Sequence, residues 1–229
     1  MAIDMELEAV LRPPQLEMAP YPPKVITLAN GMKMVVRQIT REDVPALLKA
    51  VYPCLTIERD YYDIVSARLY GELLAWYRYR VKSEYCLVGQ IDGYIVGAVN
   101  GRLETEKVGM SYHTLAIDRG LRIGSHLFAA KMEYHIEYLG QDSVLIVAES
   151  PIGFRRWMIE YPLEKTNIPH ELGGGDSYRL TREIYMKARA RLVVGDRPVP
   201  LEMLEYAEDN MLIVDEVVIR EKIAGLKGR

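Results

Sequence analysis

Two arginines and two glycines lie within six residues, Arg119-Gly120-Leu121-Arg122-Ile123-Gly124, directly after an apolar run ending at Ile117 and directly before a helical pattern. A strand, a glycine-bearing turn and a helix start, in that order, make an anion site. The first N–H groups of a helix lack intrahelical partners, and the aligned peptide dipoles favour negative charge beside them. Gly120 and Gly124 leave the backbone open to a phosphate, and Arg119 and Arg122 add fixed positive charge.

Several elements must position this turn. Asn30-Gly31 between two β-rich runs, and Asp92-Gly93 between Glu84–Ile91 and Tyr94–Glu104, both read as hairpins, because a type I′ turn needs positive φ at its two central residues. Thr40 is placed to cap a helix that Pro53 ends, and a second helix is predicted from about Arg59 to Arg80, with Ile64, Ala67, Leu69, Leu73, Leu74, Trp76 and Tyr77 on its apolar side. A strand is predicted from Val108 to Ile117 and a helix over 124–139, closed by Gly140. The continuous apolar run of residues 143–149 reads as a strand covered on both faces, parallel to Val108–Ile117 if the helix is a crossover. Pro151 opens a short helix, and two more strands are expected near Leu163–Ile168 and Ser177–Ile184. The Gly173-Gly174-Gly175 loop lacks the Lys-Ser/Thr and helix start of a phosphate loop and reads as a plain loop.

Both ends of the chain carry additions. A short helix over Asp4–Leu11 is followed by an arm with Pro13, Pro14, Pro20, Pro22 and Pro23. Leu201 to Leu226 has a helical pattern, with Leu201, Leu204, Met211, Val214, Val217 and Val218, joined by Met203 and Ala207, on one side; it packs on its own domain or on a partner. The expected organisation is an arm over 1–24, a central domain over 25–190 and a helical extension over 191–229.

The turn and the elements around it resemble the acyl-CoA motif of the GNAT superfamily of N-acyltransferases. That motif runs Gln/Arg, any, any, Gly, any, Gly/Ala between the fourth strand and the third helix. Arg119 fills its first place and Gly124 its last, while Arg122 replaces the usual middle glycine. The opening Arg37–Asp43 and the Asp92-Gly93 hairpin running into Ile95-Val96-Gly97 are also similar to the family, and the likeness spans roughly residues 33–186. It implies a mixed α/β (α+β) domain: a mostly antiparallel central sheet flanked by helices, with a splayed parallel strand pair. It also implies transfer of an acetyl group from acetyl-CoA to a primary amine of a small molecule or protein by direct attack.

The resemblance assigns residues. Leu115, Ala116 and Ile117 would hold the pantetheine arm, and Arg119, Gly120, Leu121, Arg122, Ile123, Gly124 and Ser125 the pyrophosphate. The family's base is often a strand Glu, where this chain has Ser111. On a regular strand residues 111, 113 and 115 share a face, which makes His113 the candidate base, with Glu104 and Glu106 as alternatives acting through water. The family's helix Tyr, which protonates the leaving thiolate, is replaced by Trp157, whose N–H is a hydrogen-bond donor only; Tyr161, one turn on, is the candidate acid. Tyr52 to Glu58 would face the acceptor, and Glu58, Asp60 and Asp63 would attract a cationic amine. The departures at Ser111, Arg122 and Trp157 keep a second reading open, a CoA-binding sensor or complex subunit without catalysis.

Composition sets the outer bounds. In 229 residues, 49% hydrophobic content supports a core, and a formal net charge of −3 gives no electrostatic case for nucleic acid or an anionic membrane. Two cysteines, Cys54 and Cys86, lack zinc-site spacing and read as reduced, buried thiols. With no basic leader and no apolar run near the roughly 18 residues of a membrane span, a cytoplasmic protein is expected. A homodimer through the C-terminal helix completes the expectations.

Overall fold

A computed structural model describes residues 6, 17–81, 83–170, 172 and 175–225. Apart from Glu6, the expected helix over Asp4–Leu11 lies outside the described residues, as do two of the three glycines at 173–175.

Among the described residues, nine strands form one sheet. β1 (Lys24–Thr27), β2 (Lys33–Gln38), β3 (Glu84–Ile91), β4 (Tyr94–Leu103) and β5 (Val108–Ala116) run antiparallel in sequence order. β6 (Ser143–Val147) lies parallel to β5, and β8 (Ser177–Thr181) and β7 (Glu164–Thr166) complete the far edge. β9 (Leu212–Ile213) adds in parallel to the start of β4. The two hairpins differ. Asp92 (φ +48°) and Gly93 (φ +80°) both take positive φ, as a type I′ turn requires. At the first hairpin only Gly31 (φ +85°) does so. The N–H of Gly31 donates to Leu28 O, and the N–H of Leu28 to Met32 O, which makes a longer loop with glycine in its left-handed position.

Helices cover both faces. α1 (Val44–Val51) and α2 (Tyr62–Tyr77) lie on one, and α3 (Ile123–Glu133) on the other. α1 starts from Asp43 rather than Thr40, whose N–H the Asp43 carboxylate accepts at 3.0 Å. The expected helix start at Arg59 is displaced because Asp60 (φ +56°) and Tyr61 (φ +59°) are both left-handed, which a helix cannot accommodate. α2 buries Tyr62, Val65, Ser66, Leu69, Leu73 and Trp76, leaving Ile64 and Tyr77 exposed. α3 passes at Tyr134 into a π-helical turn that ends before Gly140. α4 spans Pro151–Glu160. The expected strand to Ile184 stops at Thr181, whose hydroxyl accepts the Ile184 N–H and caps a helix absent from the sequence reading, α5 (Arg182–Leu192).

The C-terminal residues are not one helix. α6 (Leu201–Asp209) ends where Leu212 and Ile213 pair with Tyr94 and Ile95, and α7 (Glu216–Gly225) follows. Ladder hydrogen bonds to β4 prevail over a local helical pattern containing Asn210, Ile213 and Val214, all poor helix formers. Of the expected apolar side, Ala207, Met203, Leu204, Met211 and Val214 pack on the domain, and Ile219 and Ile223 join them. Ala207 packs with Val25, Val35 and Val199, while Ile219 and Ile223 enter the main core beside Leu69 and Cys86. Burial of each isoleucine contributes roughly 1.5–3 kcal/mol. Leu201 and Val217 are exposed. The proline arm crosses α3: Tyr21 donates to Glu133, which also binds Lys24 and Arg197, and Ala19 O accepts from Tyr134. No helix among the described residues is long and apolar enough to cross a membrane.

Candidate active site

β5 delivers the chain to the glycine turn. Gly120 (φ +113°) and Arg122 (φ +59°) both adopt the left-handed region. This explains the departure from the motif: position 122 has the conformation glycine favours, occupied here by an arginine at a cost of about 1–2 kcal/mol. Arg122 turns outward and its Nη2 lies 2.6 Å from Glu160 Oε1 on α4. The first bond of α3 runs from His126 N to Arg122 O, so the N–H groups of Ile123, Gly124 and Ser125 precede the ladder, with no acidic side chain in the first turn. A Cβ on Gly120 would meet nothing within 4 Å, which leaves that side of the turn open. Gly124 faces Ala116, and a Cβ there would make ordinary contact at 3.6 Å. Leu121 and Ile123 point into the core.

Carboxylates engage the cations of the turn. Arg119 Nη1 is 3.4 Å from Asp60 Oδ2, and its guanidinium carbon lies 4.7 Å from the Tyr62 ring centroid. Tyr62 in turn donates its hydroxyl to Ala116 O. Asp118 receives Lys222 of α7 at 2.7 Å. These residues fit a diphosphate group: free helix N–H groups, an open glycine and a positive side chain held by a single carboxylate.

The second half of the site is a wedge where β5 leaves β6. Their last pair is Ser111 with Ile146. Immediately beyond it β5 carries a bulge, because Val99 pairs with Thr114 but Gly101 with Ser111, so Tyr112 and His113 both oppose Asn100. The bulge corrects the expected shared face of residues 111, 113 and 115. Ser111 lies on the α3 side, where Gly101, its partner, approaches His135, whereas His113 is directed to the α2 side. The rings of Tyr112 and His113 stack at 5.9 Å, and the His113 N–H donates to Asn100 Oδ1 at 3.0 Å.

Side chains take up the parted backbone. His170 Nε2 donates to Ser111 O, and Lys131 Nζ donates to both Tyr112 O and His113 O, each at 3.0 Å. The Leu172 N–H donates to His170 Nδ1, which fixes a neutral ring, and burial pushes its pKa down to about 4. Lys131 is fully buried; burial pushes its pKa down to about 7, against the attraction of Glu149. His113 Nδ1 lies 2.8 and 2.9 Å from the Glu149 carboxylate oxygens, and Arg68 Nη1 lies 3.2 Å from Oε1. Burial pushes the Glu149 carboxyl up, but the hydrogen bond and charge of His113 and the Arg68 contact outweigh it and hold the pKa below the usual range. His113 Nε2, Ser111 Oγ and Thr114 Oγ1 are buried without a hydrogen-bond partner in the protein.

The structure therefore places His113 at the wedge and adds Glu149, Arg68, Asn100 and Lys131, none of which the sequence reading assigned. Leu115 and Ala116 pair with Ala98 and Gly97 on one edge of β5, and their other edge lies past the last pair with β6. Tyr161 is elsewhere: it packs edge-on to Phe128 among the residues between α3, α4 and β6, its hydroxyl buried and unpartnered, and burial pushes its pKa well up. No contact joins it to His113. Trp157 stacks on Phe128 at 4.7 Å. Glu104 and Glu106 are exposed, and both cysteines are buried free thiols.

No protein-family model and no curated protein sequence matches the chain. Solved structures do. An uncharacterized protein of Bacillus halodurans superposes with a TM-score of 0.53 at 12% identity, covering 75% of this chain and 96% of its own. The PaiA N-acetyltransferase of Thermoplasma acidophilum, solved with coenzyme A, has a TM-score of 0.45 at 13% identity over 66% of this chain and 99% of its own. Mycobacterium smegmatis RimJ, in complex with CoA-disulfide, has a TM-score of 0.45 at 12% identity over 76% and 98%. The antiparallel run β2 to β5, the glycine turn into α3, and the parallel β6 that parts from β5 beyond Ser111 form the mixed α/β architecture, a mostly antiparallel sheet with a splayed parallel pair, that the sequence predicts.

Proposed function

We propose that the protein is an N-acyltransferase that moves an acetyl group from acetyl-CoA to a primary amine by direct attack. The observation that carries this reading is His113 just beyond the point where β5 and β6 part, with Nδ1 bound by Glu149 and a buried Nε2 bearing no protein partner. A carboxylate accepts only, so Nδ1 holds a proton and Nε2 is the nitrogen left to exchange one. In the reaction, Nε2 takes a proton from the acceptor ammonium, the amine nitrogen bonds to the acyl carbon, the carbon–sulfur bond breaks, and the second proton lost by the nitrogen passes to the leaving thiolate. The free N–H groups of Ile123, Gly124 and Ser125, with Arg119, would hold the donor's diphosphate. Tyr161, buried and remote from His113, is a weak candidate for the thiolate's acid; a thiolate leaves tolerably at neutral pH without one.

Calorimetric titration with CoA and acetyl-CoA, followed by thiol release against a panel of amines and peptide lysines, tests the proposal. Binding with amine-dependent thiol release is the expected result. Binding without release in any amine would favour the non-catalytic sensor, and no binding at millimolar acetyl-CoA would remove both.

A further inference from the structure

We propose that Lys131 limits the donor to a two-carbon acyl group by filling the apex of the wedge between β5 and β6. The inference rests on the acyl-donor reading above and extends it to the size of the transferred group. The last backbone pair between the strands is Ser111 with Ile146, and the next two carbonyls of β5, those of Tyr112 and His113, both bind the Lys131 ammonium at 3.0 Å. The cation thus takes the position at which the strands part. Its side chain has no exposed surface, and its ammonium is 5.6 Å from the Phe128 ring centroid. The neighbouring groups are equally closed: Ser111, Ile146 and Met132 are all buried to within 1%.

An acyl chain directed into the apex meets an ammonium already bound to two carbonyls. Extra methylene groups would need the space that its side chain fills, and moving it would leave both carbonyls unpartnered. The unpartnered Ser111 hydroxyl makes the same region polar and so poor for a hydrocarbon chain. Discrimination by a closed pocket amounts to about 10–200-fold per methylene.

Dissociation constants for CoA, acetyl-CoA, butyryl-CoA and succinyl-CoA test this without knowledge of the acceptor. In the wild-type protein butyryl-CoA should bind about 100-fold more weakly than acetyl-CoA. Lys131→Ala should narrow that gap to within about threefold, because it removes the filling side chain. Lys131→Met, which keeps the volume, should retain it. Wild-type binding of butyryl-CoA as tight as acetyl-CoA overturns the inference, whether or not Lys131→Ala folds. So does an equal change in both variants, which would make charge rather than volume decisive, and so does a preference for succinyl-CoA, which would make Lys131 a carboxylate partner. Failure of CoA itself to bind would instead count against the acyl-donor reading.

Discussion

The two carboxylate oxygens of Glu149 lie 2.8 and 2.9 Å from Nδ1 of His113, across the gap between β5 and the end of β6. This pair orients the imidazole and fixes its tautomer. His113→Gln should lower amine-dependent thiol release by about 10²–10⁴-fold while leaving CoA affinity within about twofold. Glu149→Gln should cause a smaller loss, since an amide oxygen can still accept from Nδ1. Steady-state kinetics beside calorimetry separates the two effects, and full activity in His113→Gln would dismiss it as the base.

Asp60 competes for Arg119. Its carboxylate, 3.4 Å from the guanidinium and one-third exposed, is an internal anion at the entrance to the turn. Asp60→Asn should therefore tighten CoA binding by about 2–5-fold, the scale of a partly exposed ion pair. Asparagine also tolerates the left-handed backbone at this position, so the fold should be kept. Arg119→Ala should weaken binding, with a smaller dependence on salt. An unchanged dissociation constant in Asp60→Asn would show that the pair does not compete with the ligand.

Glu84 makes stability depend on pH. Burial raises its pKa to about 8, partly offset by the hydrogen bond from Asn100 Nδ2 at 2.8 Å, and Oε2 has no partner. In the unfolded chain the carboxyl ionises near 4.5. Between that value and 8 the folded state keeps a proton that the unfolded state has released, so this group's contribution falls as pH rises. Urea unfolding at pH 5 and pH 8 should show Glu84→Gln losing less stability than the wild type, the difference being on the order of 2–4 kcal/mol. Parallel behaviour of the two proteins would contradict the burial of an acid at this site.

Gly109 has a purely spatial role. A Cβ there would fall inside van der Waals contact of His135 Nδ1 and Gln141 Oε1, which are bonded to each other in a buried network with Tyr85. Gly109→Ala should cost about 1–3 kcal/mol or more. Gly124→Ala, where the added carbon would make only ordinary contact with Ala116, should cost far less on thermal melting.

Ile219 and Ile223 anchor α7. Replacing Ile223 by Ala should destabilise the protein by about 2–4 kcal/mol in chemical denaturation without altering its molar mass in solution. Dissociation of an assembly at unchanged subunit stability would instead place this helix at an interface between chains.

Much of this arrangement was legible in the residues. The Asp92-Gly93 turn, the glycine turn after Ile117 and the apolar run of β6 each carry a local signal that the fold obeys. The wedge was legible only in part. His113 is visible as a histidine on a strand, but its direction depends on the bulge opposite Asn100, and a bulge of one residue leaves the alternating pattern almost intact. Glu149 reads as an unremarkable end to an apolar run, because its partner Arg68 is 81 residues away. Lys131 occupies a helical position where a lysine is ordinarily solvated; its burial follows from the shape of the wedge above it. The break at Asn210 depends on pairing with β4, which no local pattern encodes.

α7 ties the glycine turn to the loop before α2. Arg59 donates to Ile223 O at 2.5 Å, Arg220 to Thr56 Oγ1 at 2.6 Å and Lys222 to Asp118 at 2.7 Å, while Ile219 and Ile223 complete the core beneath α2. During synthesis, then, the sheet and the glycine turn emerge long before the segment that secures them. Until residues 216–225 are in place, the core that Ile219 and Ile223 enter is incompletely covered, and the nascent domain carries an apolar opening beside the glycine turn.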